Sequence, residues 1–413
     1  MNLMTRSPIV FTTRVLGGST GVSQAGLDIA LALSQRASVL RVRAWVPTHL
    51  PRELDGRAFG PCEWLPMSPW TVAQALRHGE APPRALLTHT ALFERGVRGR
   101  LSAGLLPLAA APTAKLEIVN GLGAHRLFAA AWPARKARPS DLVSALVVHE
   151  SPRHFDSAPR RMDLAQALQA LRSYDYRVFV SERGQKEWEQ LGNLDAARST
   201  YIPNCVQEKR VLTVLSSSRT ELRKRFGYGA GDVHALCVGR VSTRKGQDFV
   251  LASLRAMPPG APPVCLDFLG DCRSDWARAL IAGLRGSGLA SQVRFLGNVN
   301  DVYERMYAAD ALLVGSRAEA FPLVVVEAMA LGMCVVAPDI DGLREQIVDE
   351  ETGLLFGAES VAEFAGCLSR VARDARLRER LGVAGRARYL ERFTRDRQWA
   401  RWNSALQWMG YEG

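Results

Sequence analysis

A chain of 413 residues has material for two or three domains and ample cores. It is 47% hydrophobic and 23% charged, an ordinary globular balance. Seven cysteines are scattered without a Cys-x-x-Cys pair, which argues against a disulfide framework or a zinc site and fits a reducing cytosol. The first residues, MNLMTRSPIVF, carry no long apolar core, so no signal peptide is expected. The longest weakly polar run, Leu101–Ala114, is broken by Pro107 and Pro112 and is too short to span a bilayer. The composition predicts a cytoplasmic protein. The net charge of +12 is uneven: residues 81–161 hold 12 Lys+Arg against 5 Asp+Glu, hence +7. Such a stretch can face an anionic membrane surface or an acidic acceptor, or be no more than a solvated basic surface. Nucleic acid is not expected, because no recognisable nucleic-acid module accompanies the charge.

In chain order, Pro8–Phe11 predicts a first strand. It runs through Leu16-Gly17-Gly18-Ser19-Thr20-Gly21 into an amphipathic helix over Val22–Ser34. Glycines between a strand and a helix let backbone come close to a phosphate, although most such turns are only turns. Short β-rich runs follow at Val39–Val46, Arg84–Thr88, Lys115–Val119, Ser144–His149 and Tyr176–Val180. Helical patterns near 69–78, 160–172 and 183–191 separate several of them. This alternation predicts βαβ units and parallel sheets. The Ser144–His149 run ends in His149-Glu150, at the strand end where open parallel sheets bind ligands. By position alone His149 is a loop histidine. Ile202-Pro203-Asn204 then leads into a polar connector and helix entry over 207–221.

His234–Val238 predicts a strand ending in Gly239-Arg240, with Lys245-Gly246 opening a helix about five residues later. Two cations at a strand end and helix start suit a diphosphate: arginine offers a planar donor fork and lysine a compact charge. Strand-then-glycine units recur at Gly270 and at Gly297-Asn298. The densest signal is Ala311–Gly315 followed by SRAEAFPLVVVE, residues 316–327. It predicts a buried strand, a loop carrying Glu319, and a helix from Leu323. Pro322 stands at its start, where fixed φ and a missing N–H are tolerated. Glu327 falls one to two turns into that helix. Amides at such a start attract anions, and neighbouring carboxylates can accept from sugar hydroxyls. From Ser360 the pattern is helical. Trp399, Trp402, Leu406 and Trp408 form an apolar stripe read as core.

Glu319-x7-Glu327 within EAFPLVVVEAMALGMCVVA, together with VGRVSTRKGQDF, resembles the large family of retaining, nucleotide-sugar-dependent glycosyltransferases called glycosyl transferases group 1 (family 4). The resemblance is firm over 233–357 and looser before. It implies an α/β fold of two Rossmann-like domains facing a central cleft, the GT-B architecture. The first domain would be 1–204, completed by a returning helix from about 395 to 413; the donor domain would be 205–394. It further implies catalytic roles for Arg240, Lys245, Glu319 and His149. Donor contacts would come from Gly17, Gly18, Phe321, Pro322, Leu323, Glu327, Gly297 and Asn298. Glu319 would hold sugar hydroxyls and Glu327 the ribose. The donor would be a UDP-sugar or GDP-sugar, with no cofactor and no metal required. The acceptor would be a glycan or lipid-linked molecule of cell-surface polysaccharide synthesis, met peripherally at the inner membrane face through the basic stretch. A silent glycan- or nucleotide-binding subunit, or a nucleotide-sugar epimerase, are the rival readings. The family often has Gly-Gly where Asp341-Gly342 stands.

Overall fold

The computed structural model describes residues 9–13, 21–34, 40–44, 62–64, 115–125, 140–155, 162–229 and 231–411. The expected glycine turn at Gly17-Gly18, the segments 69–78 and Arg84–Thr88, and most of the basic stretch lie outside these residues.

Thirteen strands among the described residues form two parallel sheets. The first contains β1 (Ile9–Thr13), β2 (Leu40–Ala44), β3 (Cys62–Trp64), β4 (Leu116–Asn120), β5 (Val143–Val148), β6 (Tyr176–Phe179) and β7 (Ser199–Tyr201). Its order is β3-β2-β1-β4-β5-β6-β7. The second contains β8 (Val233–Val238), β9 (Val264–Leu269), β10 (Val293–Gly297), β11 (Ala311–Leu313), β12 (Cys334–Pro338) and β13 (Leu354–Phe356), in the order β10-β9-β8-β11-β12-β13. Both orders reverse direction once, between β1 and β4 and between β8 and β11. That reversal opens a crevice at the carboxyl ends of the central strands, where doubly wound sheets bind ligands. Helices cover both faces of the central strands: all five residues of β4 and of β12 are buried, Glu117 and Asn120 of β4 included.

Local chemistry sets the helix starts. Ser181 accepts from the Gly184 N–H to open Glu182–Gly192, and Asp163 and Gln166 form a capping box for Leu164–Arg172. The helix entry expected within 207–221 is the start of Arg219–Phe226, whereas the connector before it is itself a helix, Glu208–Leu215; both pack on Val302–Ala308. Ser218, inside the polar run, is a cap rather than a loop residue: it accepts from the Glu221 N–H.

The last helix, Arg395–Trp408, lies against Gly21–Ser34. Trp402 is fully buried, and Trp408 meets the Tyr176 ring edge-on at 4.6 Å. Gln398 ties the helix to the 203–205 segment, donating to the Pro203 carbonyl (3.0 Å) and accepting from the Cys205 thiol (3.2 Å). Of the stripe, Trp402 and Leu406 are core as the spacing predicted, Trp399 is half-buried, and Trp408 is exposed.

Candidate active site

The reversal in the second sheet brings the ends of β8 and β11 side by side, and glycine lets their loops touch. Gly246 opens the Gln247–Arg255 helix at φ +62°, and a Cβ there would sit 1.9 Å from the Gly315 carbonyl oxygen. Only glycine permits that approach. The contact sets Lys245, from the β8 loop, against Glu319, from the β11 loop.

Glu319 is 5% exposed. Lys245 Nζ donates to its Oε1 at 2.5 Å, Ser316 Oγ at 2.8 Å, and Arg244 Nη1 stands 3.1 Å away. All three gather on Oε1. Among the described residues no donor reaches Oε2, which is left to accept from something else. Burial would raise the Glu319 pKa, but Lys245 and Arg244 outweigh it and hold the carboxyl at about 2. The site therefore keeps a buried, ionised carboxylate with one oxygen unused.

Arg244, beside Lys245 in the sequence, was not among the expected site residues. The short helical turn Thr243–Lys245 aims it back, so that it donates to the Ala318 carbonyl (2.8 Å) and fixes the peptide before Glu319. Arg240, the other expected cation, is exposed at the end of β8; its carbonyl accepts from Gln247 Nε2 at 3.1 Å.

Pro322 caps the Leu323–Ala330 helix at φ −69°, and its carbonyl accepts from Gln346 Nε2 at 3.1 Å. Phe321 is buried, edge-on to Phe393 at 5.6 Å. Leu323 is also buried. Glu327 accepts from the Tyr303 hydroxyl at 2.9 Å; burial raises its pKa and the Tyr303 bond draws it part of the way back. Tyr303 left no signal in the sequence, because its helix reaches Glu327 only through the fold. Gly297, at φ +67°, ends β10 and accepts from the Gly270 N–H at 2.8 Å. Asn298 beside it is exposed. These two lie two strands out from β8, roughly 10 Å away.

On the first sheet, β1, β4 and β5 end together at Thr13, Asn120 and His149. His149 Nε2 is 2.7 Å from Asn120 Oδ1, and the Asn120 amide nitrogen donates to Thr13 Oγ1 at 3.3 Å. With the Asn120 oxygen accepting, the ring carries its proton on Nε2 and presents Nδ1 as an acceptor. Burial pushes the His149 pKa down to about 4, so the ring is neutral near pH 7. The loop after His149 crosses to the second sheet: Ser151 Oγ donates to Asp341 Oδ2 at 3.0 Å. A cavity of about 360 Å³ opens there, between Arg153 and the Gly315–Ala318 loop, floored by Phe249, Pro338 and Ile340.

Asp232, His234 and Cys265 bring possible metal-ligating atoms within 4.8 Å of one another. They stand at the starts of β8 and β9, the opposite end from Glu319, and His234 Nε2 already accepts from the Gly229 N–H at 3.1 Å.

Residues 218–388 match the family described as glycosyl transferases group 1. That match covers the second-sheet part of the chain and shows what this segment is similar to. The group 1 segment includes Arg240, Lys245, Glu319 and Glu327. A D-inositol 3-phosphate glycosyltransferase of Rhodococcus erythropolis is 34% identical over 179 residues, covering 41% of this chain and 40% of the relative. A glycogen synthase of Mycobacterium tuberculosis is 27% identical over 62% of this chain and 60% of its own. The chain thus spans about two fifths of the first of these relatives. Among solved structures, Anabaena HepE in complex with UDP and glucose superposes with a TM-score of 0.72 at 23% identity, over 97% of this chain and 99% of that one. WaaG, a glycosyltransferase involved in lipopolysaccharide biosynthesis, gives 0.67 at 17% identity, over 96% and 98%. At these identities the likeness establishes the fold, and the two-sheet architecture is GT-B.

Proposed function

We propose that this chain is a retaining glycosyltransferase of the group 1 type that moves a sugar from a UDP-sugar or GDP-sugar to a glycan or lipid-linked acceptor. The observation that carries the reading is Glu319: ionised, buried, held through Oε1 by Lys245, Arg244 and Ser316, with Oε2 left for a sugar hydroxyl. The UDP complexes of HepE support a nucleotide-diphosphate donor.

In this reading the bond between the sugar's anomeric carbon and the phosphate oxygen breaks, and a bond from the acceptor oxygen to that carbon forms. The acceptor proton passes to the departing phosphate. Charge grows on the diphosphate as it leaves, and preorganised donors aimed at that charge supply most of the rate. Lys245, with N–H groups beyond the one on Glu319, and the exposed Arg240 take that role. The amides of Phe321 and Leu323 at the helix start assist, and Pro322 contributes none. Gly17 and Gly18 would close on the phosphates from the other side, and Gly297-Asn298 would meet the base. Glu327, steadied by Tyr303, takes the ribose. Neutral His149 offers a hydrogen bond to the sugar without adding charge. The acceptor belongs on the first-sheet side, in cell-surface polysaccharide synthesis at the inner membrane face. No described helix is long and apolar enough to cross a membrane.

Thermal unfolding with UDP, GDP, ADP and their sugar derivatives tests the donor. A ligand that binds only the native state raises apparent stability in step with concentration over Kd. One nucleotide series should raise Tm. No shift with any of them would overturn the donor assignment in favour of a silent subunit. Interconversion of free nucleotide sugars without acceptor would point to an epimerase.

A further inference from the structure

We infer that Asp341 is a positioning residue that sets the Glu319 peptide and ties its placement to contact between the two sheets across the cleft. The word positioning rests on the glycosyltransferase reading; the tie itself does not.

The turn after β12 grips Glu319 from both sides. Asp341 Oδ2 accepts from the Glu319 N–H at 3.3 Å, and the Gly342 N–H donates to the Glu319 carbonyl at 3.3 Å. Gly342 must be glycine, since a Cβ there would fall 1.7 Å from the Ala320 carbonyl oxygen. Asp341 is different. It adopts φ +37° and is 2% exposed, a left-handed backbone that glycine occupies more easily. A carboxylate placed in such a buried turn is costly unless it is used.

Its partners come from the other half of the molecule. Ser151 Oγ donates to Oδ2 at 3.0 Å, and Arg153 Nε stands 3.3 Å from Oδ1. Ser151 is itself fully buried, with Oγ 2.9 Å from His154 Nδ1. One carboxylate oxygen therefore serves both the first-sheet loop and the peptide of the candidate catalytic glutamate. If Ser151 and Arg153 withdraw, Asp341 keeps only the Glu319 N–H as a partner, and its grip there has to change. A second cross-cleft contact lies beside it, where Glu345 accepts from the Glu182 N–H at 2.9 Å and the Arg183 N–H at 2.5 Å. That contact does not touch Glu319, so it holds the halves together without reporting on the site.

Amide exchange on the full chain tests the tie without needing turnover. A hydrogen bond to a charged group stabilises enough that its loss should speed exchange over 316–321 by about tenfold. That increase is expected in Asp341→Gly. It is also expected in the double variant Ser151→Ala/Arg153→Ala, which leaves the second-sheet half untouched. Asp341→Asn should keep wild-type exchange, because its amide oxygen can accept from both the Glu319 N–H and Ser151 Oγ. Unchanged exchange over 361–373 verifies the fold. If 316–321 exchanges at the wild-type rate in the double variant, the cross-cleft tie is overturned. In turnover with whichever nucleotide sugar stabilises the protein, the double variant should lower kcat by about tenfold. The donor KM should stay unchanged, and Asp341→Asn should retain activity. Faster exchange with unchanged kcat would overturn the positioning role. Because exchange is read without substrate, absence of any turnover counts against the proposed chemistry and not against the tie.

Discussion

The two halves of the cleft bury ionisable groups in opposite ways. At the end of β11, Glu319 is buried among two cations and a hydroxyl, and its pKa falls to about 2. At the end of β5, His149 is buried against the Asn120 amide, and its pKa falls to about 4. One shift keeps a charge and the other removes one. The second-sheet half is thus built to handle charge, as a diphosphate requires. At His149 the first-sheet half offers a neutral hydrogen-bonding group. The contrast follows the partners supplied, because burial disfavours charge at both places.

The largest expected effect breaks the charged half. Glu319→Ala leaves Lys245 and Arg244 facing each other without the carboxylate and removes the oxygen offered to the donor sugar. Turnover should fall by about 100-fold or more. Far-ultraviolet circular dichroism and an unfolding curve would separate this loss from misfolding. Lys245→Ala should lower stability by about 3 kcal/mol, because a buried carboxylate loses its nearest cation. Arg244 limits the damage, and urea unfolding measures it.

Titration sharpens the contrast. His149 is lowered in the fold, so the unfolded chain takes up its proton first as pH falls. Its contribution is present above pH 6.5 and is lost between 6.5 and about 4. The loss is about 3 kcal/mol at most, and His149→Gln should flatten that window. Glu319 is also lowered, but as an acid. Its contribution is present above about pH 4.5 and lost as pH falls towards 2. Glu319→Gln should flatten the lower window and leave the upper one. Unfolding free energies from pH 2 to pH 8 would resolve both. The smallest effect is Tyr303→Phe. Removing the hydroxyl from Glu327 should cost about 1 kcal/mol and raise the Glu327 pKa further.

The charged half was legible in the sequence to a greater degree than the neutral one. Strand, loop and helix around Glu319 follow from a short apolar run, Pro322 and an apolar helix. Lys245 stands out because a cation precedes the glycine that opens a helix. These are local signals. Arg244, Tyr303, Asn120 and Thr13 were missed because each meets its partner through lateral strand order or helix packing. Asn120 and His149 are neighbours only because β4 and β5 pair in register, Asn120 opposite Val147. Asp341 read as a departure from a glycine pattern, and its purpose became visible only with Ser151 across the cleft. The strands Cys62–Trp64 and Ser199–Tyr201, three residues each at the two sheet edges, are too short for alternation to register. The helix Glu208–Leu215 was obscured by the polar run that its C-cap, Ser216, begins.

The central claim is that Lys245 and Glu319 form the diphosphate-sugar end of a donor site. Calorimetric titration of the wild type and Lys245→Ala with the best-stabilising nucleotide tests it most directly. The account predicts a saturable isotherm for the wild type and a loss of affinity of at least about tenfold in the variant, as expected for a charge-assisted phosphate contact. Equal affinity in two folded proteins would contradict it.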